Sequence, residues 1–253
     1  MRRALLGLLL LAVPASAEIA PGERRSGFDQ MTPELRAMQT DEAANPGHLW
    51  VGDGEEAWAA APPAGRPACA GCHGAIATMR GVAARYPAWD EATARPVDLQ
   101  GRINLCRTRH QGADPLPVES RPLLALTAAV AAQSRGLPVA PPADPRLDPA
   151  RAEGERLFTR RAGQLDLACA QCHDALWGRR LGASTIPQGH PNGYPLYRLE
   201  WQDLGSLQRR LRNCLTGMRA EPYPFGAPEY LALELHLMRR AQGLAIEAPA
   251  VRP

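Results

Sequence analysis

The chain has 253 residues, 45% hydrophobic and 22% charged, with a formal net charge of +3. That length suffices for one large domain or two small ones. All 29 basic side chains are arginine, and a balance this close to neutrality gives no electrostatic case for nucleic-acid binding.

Met1-Arg2-Arg3, the apolar run from Ala4 to Val13 and the small-residue site Ala15-Ser16-Ala17 follow the order of a secretory signal peptide. The run is too short to span a bilayer, and no later stretch is apolar enough to do so. The expectation is an exported, periplasmic protein that loses segment 1–17 and has no membrane partner. Three Phe, five Tyr and five Trp are few for a core of this size, which favours a buried macrocycle supplying apolar bulk.

Residues 18–49 have no counterpart later in the chain. They contain a predicted short helix over Pro33–Gln39 and are read as an N-terminal extension that wraps over another element. Beyond them the chain repeats itself. Gly54-Glu-Glu-Ala-Trp58 aligns with Gly154-Glu-Arg-Leu-Phe158, and the same offset carries Cys69-Ala-Gly-Cys72-His73 onto Cys169-Ala-Gln-Cys172-His173 without a gap. Cys106-Arg-Thr-Arg-His110 resembles Cys214-Leu-Thr-Gly-Met218 at a slightly longer offset. A helical stretch follows each, Pro122–Arg135 and Pro228–Gln242, with apolar residues at three- and four-residue spacing. Two copies point to a tandem duplication, since a solenoid needs three or more units. Between them, 137–149 is rich in proline, which forbids a continuing helix and makes an extended, semi-rigid linker. The expected fold is all-α: two tandem cytochrome c-like domains, 50–136 and 150–253, with no convincing strand pattern.

Cys-x-x-Cys-His is the attachment signature of c-type haem. The thiols of Cys69 and Cys72, and of Cys169 and Cys172, add across the haem vinyl groups, and His73 and His173 face the iron. A redox dithiol or half of a zinc site is the rival reading, but a dithiol does not require the adjacent His. Two matched occurrences in an exported chain point to two covalently bound haem c groups. The opposite axial ligands are left open. Cys106 with Cys214, His110 with Met218, or a Cys106–Cys214 disulfide with other ligands all agree with the cysteine count. His48, His190 and His236 are further candidates, with His190 close in sequence to the second motif and His236 inside the closing helix.

Longer strings narrow these alternatives. Met31-Thr-Pro-Glu-Leu-Arg-Ala-Met-Gln-Thr-Asp41, Asn45-Pro-Gly-His-Leu-Trp50 and Gln188-Gly-His-Pro-Asn-Gly-Tyr-Pro-Leu-Tyr-Arg-Leu-Glu-Trp-Gln202 are three of them. Gly205-Ser-Leu-Gln-Arg-Arg-Leu-Arg-Asn-Cys214 and Arg219-Ala-Glu-Pro-Tyr223 are two more. Together they make the mature chain resemble the SoxA family, the dihaem cytochrome c subunits of the SoxAX complex of bacterial sulfur oxidation. The resemblance implies that Cys106 and Cys214 are the distal ligands of haem 1 and haem 2. It also implies that Cys214 carries an extra sulfur as a persulfide and that Arg210 binds substrate. The implied activity is that of an L-cysteine S-thiosulfotransferase, which joins thiosulfate to a cysteine of the carrier SoxYZ. The implied partners are the monohaem cytochrome SoxX and a soluble cytochrome c that accepts electrons.

The residues agree with that chemistry. A dianionic substrate needs fixed positive charge near the reacting sulfur, and a guanidinium fork suits a pair of sulfonate oxygens. If 208–214 is helical, Arg210 lies four residues before Cys214 on the same face, with Arg209 and Arg212 turned to solvent or a partner. The competing reading is a dihaem electron carrier without its own catalysis, in which the three arginines are a solvated face.

Overall fold

Gly54 and Gly154 each stand where two helices press backbone to backbone. In the computed structural model, which describes residues 19–62 and 65–253, a Cβ at Gly54 would collide with the carbonyl of Ala125, and one at Gly154 with the carbonyl of Ala232. Only glycine permits so close an approach. The expected signal peptide, 1–17, lies outside the described residues.

Eight α-helices are present among those residues: α1 (Pro33–Thr40), α2 (His48–Ala59), α3 (Cys69–His73), α4 (Leu99–Cys106), α5 (Arg121–Ala132), α6 (Asp148–Thr159), α7 (Leu207–Gly217) and α8 (Pro228–Arg240). Their starts are legible in local chemistry. Proline occupies the first turn of α1, α5, α6 and α8, where its missing N–H costs nothing. The Asp98 side chain accepts from the Gly101 N–H at 2.7 Å to begin α4, and Ser206 Oγ accepts from the Arg209 N–H at 3.2 Å to begin α7. α2 packs along α5 and α6 along α8. Every residue of α5 from Leu123 to Ala131 is buried. Truncating a side chain such as Leu123 or Leu235 to Ala would cost about 2–5 kcal/mol.

The expectation of an all-α chain needs one correction. Seven short strands occur among the described residues: β1 (Ala88–Asp90), β2 (Arg95–Val97), β3 (Arg180–Leu181), β4 (Ser184–Thr185), β5 (Leu196–Arg198), β6 (Asp203–Gly205) and β7 (Ala250–Arg252). Each has two or three residues, below the length at which alternation becomes visible in a sequence. β1 pairs with β2 and β3 with β4. β5 is the centre of a three-stranded sheet, antiparallel to β6 and parallel to β7.

The N-terminal extension does wrap over another element, the C-terminal strand. Val251 N donates to Gln39 Oε1 at 3.0 Å, and Asn45 Nδ2 donates to the Pro249 carbonyl at 2.9 Å. Arg25 N donates to Gln188 Oε1 at 2.6 Å, while Gln188 Nε2 donates back to the Glu23 carbonyl at 3.0 Å. Gln39, Asn45 and Gln188 are all buried, so their amides serve as internal partners for backbone groups. The proline-rich stretch is held as well. Val139 N donates to the Leu244 carbonyl and Ala140 N to that of Ala84, and Val139 and Leu147 are buried.

Candidate functional site

The second Cys-x-x-Cys-His begins a tight π-type turn, Gln171–Ala175, directly after Cys169 and Ala170. The turn is fixed on its far side by a buried ion pair between Arg240 and Asp174, the residue after His173. The Arg240 guanidinium also lies 4.5 Å from the centre of the Phe158 ring, which stacks at 6.4 Å on His173. His173 Nδ1 is 2.7 Å from the Pro187 carbonyl. That contact fixes the tautomer with hydrogen on Nδ1 and leaves Nε2 free to act as a ligand. Gly189, at φ +77°, passes so close that a Cβ would come within 3.1 Å of the imidazole.

Opposite the imidazole stands Cys214, on α7. A cleft is bounded by Cys169, His173 and Cys214, with Phe158, Leu233 and Leu237 as an apolar wall. Two thiols one turn apart, an imidazole with a free Nε2, and a facing thiol fit a covalently attached haem c. Burial pushes the Cys214 thiol up, but the nearby His173 and the charges of Arg210 and Arg198 more than reverse this, leaving it below its ordinary value. Cys169 differs: burial and the neighbouring Cys214 push it up to about 12. Of these two thiols, Cys214 is the one predisposed to be a thiolate.

Arg210 lines the same cleft, one turn before Cys214, as its helical spacing requires. Arg209 and Arg212 point elsewhere, and each also has partners within this chain. Arg209 donates to Asp203 at 3.0 Å and lies 4.4 Å from the Trp201 ring centre. Arg212 donates to the Tyr223 carbonyl and covers Phe225 at 4.5 Å. His190 lines the cleft with Nε2 3.0 Å from Gln188 Oε1, and burial drives its pKa down to about 3. His236 packs on the other side of Phe158 at 5.2 Å, and His48 contacts Arg135 at 3.2 Å. Met218 sits behind Cys214 beside Leu215 and Tyr223. Sequence reasoning missed Arg198, which reaches the cleft from β5.

The first motif is built on the same plan but lies more open. Cys69, Cys72 and His73 occupy α3, and the His73 ring is 5.6 Å from Trp58, which takes the place of Phe158. Cys106 closes α4 and passes into a π-type turn, Arg107–Gln111. Gln111 Nε2 donates to the Pro67 carbonyl at 3.0 Å and reaches Cys69 Sγ at 3.7 Å. Burial raises the Cys106 thiol, and Arg102 and Arg109 do not reverse it, because both guanidiniums are engaged by Asp90 at 2.7–2.8 Å. His110 is exposed. No disulfide joins Cys106 to Cys214. Each stands beside its own motif.

Comparison with known proteins agrees with this arrangement. Residues 53–139 match the SoxA/TsdA cytochrome c domain family. The L-cysteine S-thiosulfotransferase subunit SoxA of Pseudaminobacter salicylatoxidans is 37% identical over 91% of this chain and 81% of its own length. The corresponding subunit of Rhodovulum sulfidophilum is 34% identical over 96% of this chain and 86% of its own. A chain in the crystal structure of SoxXA from P. pantotrophus superposes with a TM-score of 0.87, at 31% identity, over 91% of this chain and 87% of that one.

Proposed function

The chain belongs to the SoxA family of c-type cytochromes, and we propose that it is the catalytic subunit of a SoxAX-type L-cysteine S-thiosulfotransferase. The reaction joins thiosulfate to a cysteine thiol of the carrier SoxYZ. One sulfur–sulfur bond forms, the thiol loses its proton, and two electrons leave for a c-type cytochrome acceptor. The observation that carries this reading is the convergence of Cys214, Arg210 and His173 on one cleft. A passive electron carrier has no need of a guanidinium beside an activated thiol.

In this reading Cys169 and Cys172 would hold haem 2 covalently, and His173 and Cys214 would ligate its iron. Cys69 and Cys72 would hold haem 1, with His73 and Cys106 as its ligands. A haem held there would supply an electron-withdrawing metal centre to the Cys214 sulfur. Cys214 carries the reacting sulfur as a persulfide, Arg210 seats the anionic end of thiosulfate, and the Pro187 carbonyl keeps His173 in one tautomer. Phe158, Leu233 and Leu237 keep water from the imidazole side of the cleft.

The two motifs belong to two tandem units, 50–136 and 150–253, joined by 137–149. The paired glycines Gly54 and Gly154 at equivalent helix contacts support this duplication. SoxX is the proposed partner, and segment 1–17 directs export to the periplasm. Peptide mass spectrometry of the exported protein, purified without reductant and cleaved after arginine, tests the reading. An extra sulfur on Asn213–Arg219 is expected. A disulfide between that peptide and Ile103–Arg107 would overturn it.

A further inference from the structure

We propose that Arg198 is a second substrate-binding arginine, which with Arg210 forms a two-guanidinium seat for the sulfonate end of thiosulfate beside Cys214. The inference rests on Cys214 being the reacting thiol. Arg198 ends β5, the central strand of its sheet, with Asp203 on β6 and Arg252 on β7 as register partners. A side chain anchored by strands on both sides is placed more precisely than one on a loop. It is 11% exposed and lines the same cleft as Arg210 and Cys214.

Hydrogen-bond accounting singles this residue out. A guanidinium has five N–H donors. Arg198 Nη2 donates to Glu200 Oε2 at 3.1 Å, on a carboxylate that is 62% exposed. Its Nε is buried and has no partner among the described residues. The Arg210 side chain makes no hydrogen bond or ion pair among the described residues. Arg252 also borders the cleft, but it is committed to Glu247, Gln39 and the Val251 carbonyl. Two buried or half-buried cations with spare donors facing one cleft are unfavourable until an anion joins them. A dianion with a tetrahedral oxygen face satisfies both at once.

A haem propionate offers the same kind of oxygen pair as a sulfonate. Arg198 is assigned to the sulfonate because it lines the same cleft as Arg210 and Cys214, and the test below separates the two anions.

The test uses the haem-loaded complex with its monohaem partner, carrying Arg198→Ala, Arg198→Lys or Cys214→Ser. Thiosulfate binding is measured by equilibrium dialysis without carrier, and KM and kcat are measured with it. Arg198→Ala should raise both the dissociation constant and KM about tenfold or more, with a smaller change in kcat. Arg198→Lys, which keeps the charge and guards against a folding defect, should recover part of the loss. The visible haem spectrum and midpoint potential should not change in either variant. Wild-type binding and KM in Arg198→Ala would overturn the inference, as would an altered haem potential with KM unchanged, which marks a propionate partner. Turnover retained in Cys214→Ser would instead overturn the reading of the site itself. Turnover lost there, with wild-type binding in Arg198→Ala, would remove only the role of Arg198.

Discussion

Arg210 and Cys214 stand one turn apart on α7, and that turn brings both side chains into the cleft in front of His173. The relationship sets a thiol beside a fixed positive charge. At the first motif Arg102 and Arg109 flank Cys106 at similar spacing, but Asp90 holds both. The same helical geometry therefore leaves the arginine to the cleft in one half and engages it with a carboxylate in the other.

Cys214→Ser separates haem attachment from turnover. Cys169, Cys172 and His173 lie on a different element from Cys214, so covalent attachment should be retained, as read by haem staining of the denatured chain. Thiosulfate conjugation to the carrier should fall by about three orders of magnitude or more, the scale on which enzymes lose rate with their nucleophile. Conjugation at the wild-type rate would remove Cys214 from the reaction.

Arg210→Ala tests the seat for the anion. A lost charge-assisted hydrogen bond is worth about 1.5–3 kcal/mol, so kcat/KM for thiosulfate should drop by roughly tenfold to a hundredfold. Arg210→Lys should recover only part of this, because a point charge cannot reproduce the fork. An unchanged kcat/KM in both variants would return Arg210 to a structural role.

Much of this arrangement was legible in the sequence, and the reasons are local. The haem-attachment signature has a fixed spacing, present at Cys69–His73 and Cys169–His173, so no fold is needed to recognise it. Proline at helix starts and apolar residues at helical spacing placed α1, α5 and α8 within a few residues. Arg198 was not legible, because a three-residue strand and its partner β7 bring it to Cys214, and neither has a readable period. The commitments of Arg209 to Asp203 and of Arg212 to the Tyr223 carbonyl were hidden for the same reason. Buried Gln39, Asn45 and Gln188 look like surface residues until the extension is seen to lie on the C-terminal strand.

Gly54→Ala and Gly154→Ala should damage the two halves alike. Each added methyl group meets a backbone carbonyl of the partner helix, which cannot rotate away as a side chain could. Overpacking of this kind costs about 1–3 kcal/mol. Chemical denaturation followed by circular dichroism should show comparable destabilisation in both variants. A large effect at one position and none at the other would contradict equivalent helix contacts in the two proposed units.

Asp90 makes a pH prediction whose sign follows from its partners. Its buried carboxylate accepts from Arg109 Nη1 at 2.8 Å and Nη2 at 2.7 Å, from the Thr93 hydroxyl at 2.7 Å and backbone N–H at 2.9 Å, and pairs with Arg102 at 2.8 Å. The Arg109 hydrogen bonds, then those from Thr93, hold it well below the usual carboxylate range despite its burial. A depressed carboxylate contributes stability that is complete above its unfolded pKa of about 4 and is lost as pH falls toward the folded value. Since Arg102 and Arg109 flank Cys106, that acid-sensitive part belongs to the first motif. Asp90→Asn should be less stable than the parent at pH 7, yet its stability should decline less steeply from pH 4 downward, as measured by thermal melting across that range. Parallel pH profiles for the two proteins would show that Asp90 does not hold this corner of the fold through its charge.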